Sequence, residues 1–443
     1  MHKNRIIIGV LIACVSGYCF AATHYVVMCN SNNAQDPYTN WATAGTNIID
    51  VVNAAMTNTE PRMVWVSNGT YYLTNQVMIT NALTLQSVNG RDVTIADGYN
   101  YAGKPVTNRC FYLSASGAVL DGFTLTNGYG IANYGNGGGV HANAGTAVQN
   151  CRIIGCVASN RSGTTYSYGC GAYVLGVITN CEVIGNIGYH TDGGGINVAS
   201  GGVVANCIVA SNILHPLPNY EAHGGGIAAS DTSLVSNCKI YGNTSVNAGG
   251  STFFGGGVTL ANGATLRNSL VYNNPADKGG GVCVYYSYGR IQNCTIVSNI
   301  GSSAGGGIWI LTASTKTTYV ENVVSYFNTN ASSSNIYIFT TAGYTGSCYI
   351  LNSCIAPTNA FKTSGIEGYY YTNNIESNPQ FVGKDAGNWH LTRDSPCVNA
   401  GMNQAWMDGA VDLDGHGRID KFSGVVDIGC YEYLSGGVII TAW

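Results

Sequence analysis

Tyr189, His190 and Asp192, then Tyr220, Glu221 and His223, then Phe253 and Phe254, then Asp277 and Lys278 fall in four successive inserts between glycine clusters. Aromatic rings beside a few carboxylates and imidazoles suit stacking on the faces of sugar rings. A pair of carboxylates could also do acid/base work on a glycosidic bond. Asp192, Glu221 and His223 are therefore the catalytic candidates. Tyr189, His190, Tyr220, Phe253, Phe254 and Lys278 are the binding candidates. The alternative reading makes all of them ordinary solvated loop residues.

The elements that would position them are repeats. The phrases GGGV at 137, GCGA at 169, GGGI at 193, GGGI at 224, GGGV at 255, GGGV at 279 and GGGI at 305 are each followed by an asparagine, usually with cysteine after it. These are Asn150, Asn180, Asn206, Asn237, Asn268, Asn293 and Asn322. Six residues further on stands a second set, Asn186, Asn212, Asn243, Asn274, Asn299 and Asn328, with Cys156 in the first copy. A period of 24 to 32 residues means a solenoid. The segments between are short and β-branched, without a helical period. Three strands per repeat, stacked about 4.8 Å apart in parallel sheets, predict an all-β, right-handed parallel β-helix.

Asparagine at a bend can donate and accept towards neighbouring coils and tolerates left-handed dihedrals, so both sets are read as structural. After each Asn-Cys comes Arg152, Glu182, Lys239 or Thr295, with Ile208 and Leu270 as apolar exceptions. A charge there points outward, so Cys151, Cys181, Cys207, Cys238 and Cys294 point inward. Stacked in register, their β-carbons lie about 4.8 Å apart, beyond the ~3.5–4.5 Å of a disulfide, so they are read as buried thiols. Cys397 and Cys430 are the disulfide candidates.

In such a solenoid the inserts, of 6, 11, 11, 4 and 5 residues, are expected to be loops on one face. The residue just before the glycines should form a line up the coils: Asp192, His223, Phe254, Lys278.

Lys3 and Arg5 ahead of an apolar run, with a Cys-Phe-Ala exit, read as a secretory signal cut near Ala21. Leu11-Ile12-Ala13-Cys14 offers the alternative of a lipid anchor on Cys14. No later stretch is apolar and long enough to span a bilayer. Without the leader, 16 basic residues face 22 acidic ones, with no basic run, which excludes a nucleic-acid partner. Residues 1–21 are thus the leader and 22–64 an N-terminal cap. In the cap, positions 48, 51, 52, 55 and 56 line one helical face behind a Thr or Asn cap. Residues 65–372 are the β-helix, blurring after about 330; 373–433 form a C-terminal module and 434–443 a tail. Asp121 and Asn127 show the same six-residue offset as the later pairs.

The Gly-Gly-Gly-Ile/Val and Asn-Cys-x-Ile-x-x-Asn repeats resemble the pectate-lyase-like right-handed β-helix superfamily, and especially polymorphic outer membrane protein repeats. The C-terminal module carries Asn378-Pro379-x-Phe381, Ser395-Pro396-Cys397, Asp412-x-Asp414-Gly415 and Asp427-Ile428-Gly429-x-Tyr431-Glu432. It is similar to the choice-of-anchor Q module of secreted bacterial β-helix proteins. That superfamily includes lyases, hydrolases, adhesins and surface proteins, so the resemblance implies architecture and not activity. A pectate lyase would need clustered Asp for calcium and a basic residue beside it. Residues 137–328 hold only seven basic and six acidic residues. Gly415-His416-Gly417-Arg418-Ile419 is read as a chance match to polygalacturonase motifs.

Asp412, Asp414 and Asp420 sit at calcium-loop offsets with Gly417 at the turn, but Ser423 stands where a bidentate Glu belongs. Calcium held there is one expectation; Arg418 pairing with these carboxylates is the other. The first functional reading is a noncatalytic protein, secreted or on the outer surface of a bacterium, that contacts extracellular polysaccharide or a cell-surface glycan. A polysaccharide lyase or glycoside hydrolase using the insert carboxylates is the second. A purely structural envelope protein is the third.

Overall fold

A computed structural model describes residues 22–29, 33–59, 62–99, 108–131, 135–159, 167–246, 249–312, 315–330, 335–340, 346–357, 361–364 and 368–434. The leader, with Cys14 and the cut near Ala21, and residues 435–443 of the tail lie outside them.

The chain winds as a right-handed parallel β-helix with three long sheets of 13, 11 and 11 strands. Within one coil, Ala172–Val174 belongs to the third sheet, Val177–Thr179 to the first and Glu182–Ile184 to the second. Each pairs in parallel with its equivalent one coil on: Tyr173 with Asn197, Ile178 with Val204, Val183 with Val209. Alternate residues face inward. Ile178, Val183, Val204 and Val209 are fully buried in one continuous core, and each such side chain contributes about 1.5–3 kcal/mol.

The two asparagine sets divide the work. The first set takes the left-handed bend, with φ near +54° at Asn150, Asn180 and Asn206. The second set forms a buried amide ladder. Asn186 Nδ2 donates to Asn212 Oδ1 at 2.9 Å, Asn212 to Asn243 at 2.9 Å and Asn243 to Asn274 at 3.0 Å. Each Nδ2 also donates to a carbonyl of the preceding coil, as from Asn212 to Val183 at 3.0 Å. The glycines complete this corner. Gly224 has φ +65°, and a Cβ on Gly226 would stand 2.9 Å from Asn243 Nδ2. The amide ladder therefore requires the third glycine.

Asp121 and Asn127 are offset from this scheme by one residue. Asp121 lies opposite Gln149, not Asn150, and Thr126 opposite Ile154, so Gly128 takes the ladder position. Asp121 instead accepts from the side chains of Gln149 and Asn150 at 3.0 and 2.7 Å.

The inserts are largely strands, with Tyr220 in the turn that joins two of them. Ile187–Tyr189, Ile213–His215 and Thr244–Ser245 stack in a fourth, five-stranded ladder. Glu221–His223, Thr252–Phe254, Pro275–Lys278 and Ile300–Ala304 stack in a fifth. Their backbone groups find partners on the next coil, which a solvated loop would not offer.

At the N-terminal end, helix α1 (Ile48–Met56) is capped by Asn47, whose Oδ1 accepts from Ile49 N at 2.8 Å. It buries Ile48, Val51, Val52 and Ala55 against the first coil. Ala22–Val26, expected in the cap, pairs in register with Arg62–Val66, so the first sheet begins there and not at residue 65. At the other end the rungs continue to Gly368–Thr372.

From 373 the chain turns back along the outside of the second sheet. The outward row of that sheet reads Arg152, Glu182, Ile208, Lys239, Leu270, Thr295, Val324, Cys354. Its apolar half is the part the C-terminal segment covers. Trp389, Cys430 and Tyr431 pack on Leu270 and Val297, while Leu391, Cys397 and Ile428 pack on Val324 and Cys354. Asn268 and Asn322 donate across the junction to the carbonyls of Val411 and Met402 at 2.8 and 2.9 Å.

Every described cysteine is a free thiol, and Cys151, Cys181, Cys207, Cys238 and Cys294 are buried. Cys397 and Cys430 are not bridged; they fall in two different clusters, held apart by the strands on which each packs.

Candidate functional site

The fifth ladder builds the site. Its register sets His223 beside Phe254, Phe254 beside Lys278 and Lys278 beside Ala304, with Tyr168 and Asp192 paired further up. The expected line before the glycines therefore exists as a row of strand residues.

Alternation along these short strands sorts the side chains. In Thr252–Phe254 the neighbours Phe253 and Phe254 face opposite ways. Phe253 pairs with Ala222 and turns inward, packing with Cys170, Leu214 and Ala276. It is 6% exposed and lines a smaller, separate hollow of about 170 Å³ with Thr244, Pro275 and Asp277. Phe254, at 3%, is covered by Cys283, Trp309 and Leu311 and serves as a wall.

Beside Phe254 opens a cleft of about 400 Å³ whose lining includes Glu221, Lys278, Tyr285, Tyr286, Trp309 and Tyr337. The His223 imidazole stacks on Phe254 at 5.3 Å and meets Tyr285 at 4.3 Å. Phe254 meets Trp309 at 5.3 Å. The Lys278 ammonium stands 5.2 Å from the Phe254 ring centre and 5.4 Å from that of Trp309. One end is polar: Tyr285 donates its hydroxyl to Glu221 Oε2, and His223 Nε2 lies 3.6 Å from the same oxygen. Asp192 Oδ1 accepts the backbone N–H of His223 at 3.1 Å.

These contacts fix the charges. His223 and then Tyr285 hold the Glu221 carboxyl below its ordinary range, outweighing burial. Burial would lower His223, but Asp192 and Glu221 together raise it. Burial raises Asp192 against the opposing pull of His223. The result is a carboxylate that faces the His223 ring and accepts from a neutral phenol. Such a group can hydrogen-bond hydroxyls while the rings beside it take an apolar face.

The other candidates lie elsewhere. Tyr189 is exposed on the fourth ladder, stacked on His215 at 4.9 Å. His190 is buried at 2% against Tyr220, at 4.7 Å, and is not the solvent-facing group the loop reading requires. Asp192 is half-buried and bonded to backbone. The structure thus gathers Glu221, His223, Phe254 and Lys278 and leaves Tyr189, His190, Tyr220 and Phe253 outside.

Tyr285, Trp309 and Tyr337 were missed by sequence reasoning. Trp309 and Tyr337 belong to an outward row on the third sheet: His141, Tyr173, Asn197, Ala228, Thr259, Cys283, Trp309, Tyr337. For Trp309 the signal was the residue two places after the last glycine, which is small from Asn197 to Cys283 and then aromatic; no glycine precedes Tyr337 to mark it.

In the C-terminal segment, Asp412, 2% exposed, accepts from the N–H groups of Asp414, His416 and Glu432 at 2.9, 2.8 and 2.9 Å. Asp414 meets His390 Nε2 at 2.6 Å, and Asp420 accepts from Phe422 and Ser423 N–H groups at 2.8 and 2.6 Å. The three carboxylates thus have separate partners. Among the described residues no group of three or more His, Cys, Asp or Glu is arranged to hold a metal. Arg418 does not pair with them either. It is fully buried, 3.0 Å from Glu432 Oε1 and 3.1 Å from Asn268 Oδ1. Among the described residues no helix is long and apolar enough to cross a membrane.

No protein-family model matches the chain, and no curated protein matches its sequence. Among solved structures it is similar to pectate lyase Pel9A, at 14% identity and TM-score 0.48, over 93% of this chain and 96% of that one. It is similar to XylC in complex with xylose, at 9% identity and TM-score 0.47, over 94% and 99%. It is also similar to the catalytic domain of a GH87 alpha-1,3-glucanase in complex with nigerose, at 12% and 0.43, over 81% and 69%. At such identities the likeness carries nothing about activity, and the fold rests on the strand registers above.

Proposed function

We propose that this protein is a noncatalytic, extracellular or cell-surface β-helix that holds a polysaccharide or cell-surface glycan in the aromatic cleft of its fifth ladder. The observation that carries the reading is the placement of Tyr285, Tyr286 and Trp309 around one opening with Glu221 and Lys278 at its rim. Aromatic side chains give contact area to a sugar face at little entropic cost, and the few polar groups fix its orientation.

The engagement of Glu221 supports the noncatalytic choice. Its Oε2 already takes the Tyr285 hydroxyl and faces the His223 imidazole. A carboxylate held ionised this way is a poor proton donor. The hydrogen-bonded group of Glu221, His223 and Tyr285 nonetheless has acid/base partners, which keeps a lyase or hydrolase as the second reading.

A panel of soluble polysaccharides, assayed for retardation of the protein and for new reducing or unsaturated ends, separates the readings. Binding without new ends supports the proposal. New ends that disappear in Glu221→Gln while binding persists would replace it with the enzyme. Absence of binding across the panel would leave the structural envelope reading.

A further inference from the structure

Around the corner from the cleft, the chain passes through Tyr285-Tyr286-Ser287-Tyr288 and enters the first sheet at Arg290. There a second hollow of about 430 Å³ opens, lined by Gly263, Thr265, Tyr288, Arg290, Lys316 and Tyr319 among others. Register places Thr265, Arg290, Tyr319, Tyr349 and Tyr370 in one outward row.

Both cations of the hollow are mounted on tyrosines. The Arg290 guanidinium lies 4.2 Å over the Tyr319 ring. The Lys316 ammonium lies 4.3 Å from the Tyr288 ring centre and 2.8 Å from its hydroxyl. The carboxylate facing Arg290 is Glu321, at 3.5 Å, which is buried and already accepts from Gln292 Nε2 at 2.9 Å. Among the described residues no acidic one lines the hollow. Tyr319 continues into stacked Tyr349 and Tyr370, at 5.4 and 4.3 Å.

On a chain with 22 acidic and 18 basic residues, this is a local reversal of sign. A planar guanidinium presents a fork that fits carboxylate or sulfate oxygens, and an ammonium supplies a point charge. Flanking tyrosines accept a sugar face. We infer that the hollow between Tyr288–Lys316 and Arg290–Tyr319 is a second binding site, taking an acidic saccharide through its carboxylate or sulfate group. It stands on a different sheet from the aromatic cleft, and it does not depend on the reading of that cleft.

The test is affinity electrophoresis of the full chain in gels containing hyaluronate, dextran sulfate or neutral dextran. Lines compare wild type, Arg290→Gln/Lys316→Gln, Lys316→Gln alone and Tyr286→Ala, with melting curves for each. Wild type should be retarded by hyaluronate or dextran sulfate and not by dextran; which acidic gel retards it identifies the anionic group. The double variant should lose that affinity at least about tenfold, Lys316→Gln should lose part of it, and Tyr286→Ala should keep it. If the double variant is unstable, Lys316→Gln alone carries the comparison, since Lys316 is an exposed side chain. Equal retardation of wild type and Lys316→Gln overturns the inference, as does the absence of any preference for acidic gels. Loss of acidic binding in Tyr286→Ala to the same extent would move the site to the cleft and overturn it as well.

Discussion

The imidazole of His223 lies on the ring of Phe254, centres 5.3 Å apart and planes 13° from parallel, because the two residues are register partners on adjacent coils. The rim of the cleft is therefore set by the same coil-to-coil register as the core beneath it.

This arrangement separates residues that hold the cleft from residues free to meet a ligand. Phe254→Ala and Phe253→Ala should each lose about 3–5 kcal/mol of stability, as buried aromatics do. Tyr286→Ala, at a side chain 53% exposed, should change stability by less than about 0.5 kcal/mol. Denaturant melts of the three variants give the comparison; a Phe254→Ala protein as stable as Tyr286→Ala would contradict the packing.

The charges around His223 predict a pH window. His223 is raised on folding, so its contribution is complete below its unfolded value of about 6.5 and is lost as pH rises through the folded value. Glu221 is depressed, so its contribution is complete above about 4.3 and is lost as pH falls through its folded value. The stability difference between wild type and His223→Gln should accordingly be largest between about pH 4.3 and 6.5 and shrink in more alkaline solution. In NMR titration His223 should have its midpoint above about 6.5, and Glu221→Gln should bring it down. A midpoint below that value would contradict the ion pair.

The amide ladder makes a third prediction. Asn243→Ala removes the oxygen that accepts both Asn212 N and Asn212 Nδ2, at 3.1 and 2.9 Å. Leaving such buried donors unpaired should cost about 1–3 kcal/mol per group, more than any exposed insert substitution. Hydrogen exchange should show Asn212 N–H losing protection; unchanged protection and stability would remove the ladder from the account.

Much of this was legible in the sequence. Repeating glycines and asparagines mark corners because corners constrain backbone and buried amides alike, and that reading extends through Asn186 to Asn328. The change from Arg152 and Glu182 to Leu270 and Val324 also carried a message, the landing place of the C-terminal segment. What could not be read was the insert strands. Three residues such as Glu221-Ala222-His223 are too few to display an alternation, so Phe253 and Phe254 looked equivalent. Register one coil away, which no local pattern reports, decided which faced the cleft.

The thiols offer a chemical check of the same inward assignment. Burial pushes Cys294 and Cys430 up to about 12 and raises Cys181 and Cys238 as well. A maleimide should label Cys151, Cys181, Cys207, Cys238 and Cys294 far more slowly in the native protein than in denaturant. Non-reducing mass mapping should find no bridge between Cys397 and Cys430. Equal labelling rates in both states would turn the ladder outward.

That the cleft beside Phe254 holds a saccharide is tested by the affinity of wild type and Tyr286→Ala for whichever neutral polysaccharide the panel selects. Tyr286→Ala should lose at least about tenfold in affinity, with an unchanged melting curve. Binding by Tyr286→Ala equal to that of wild type would contradict it.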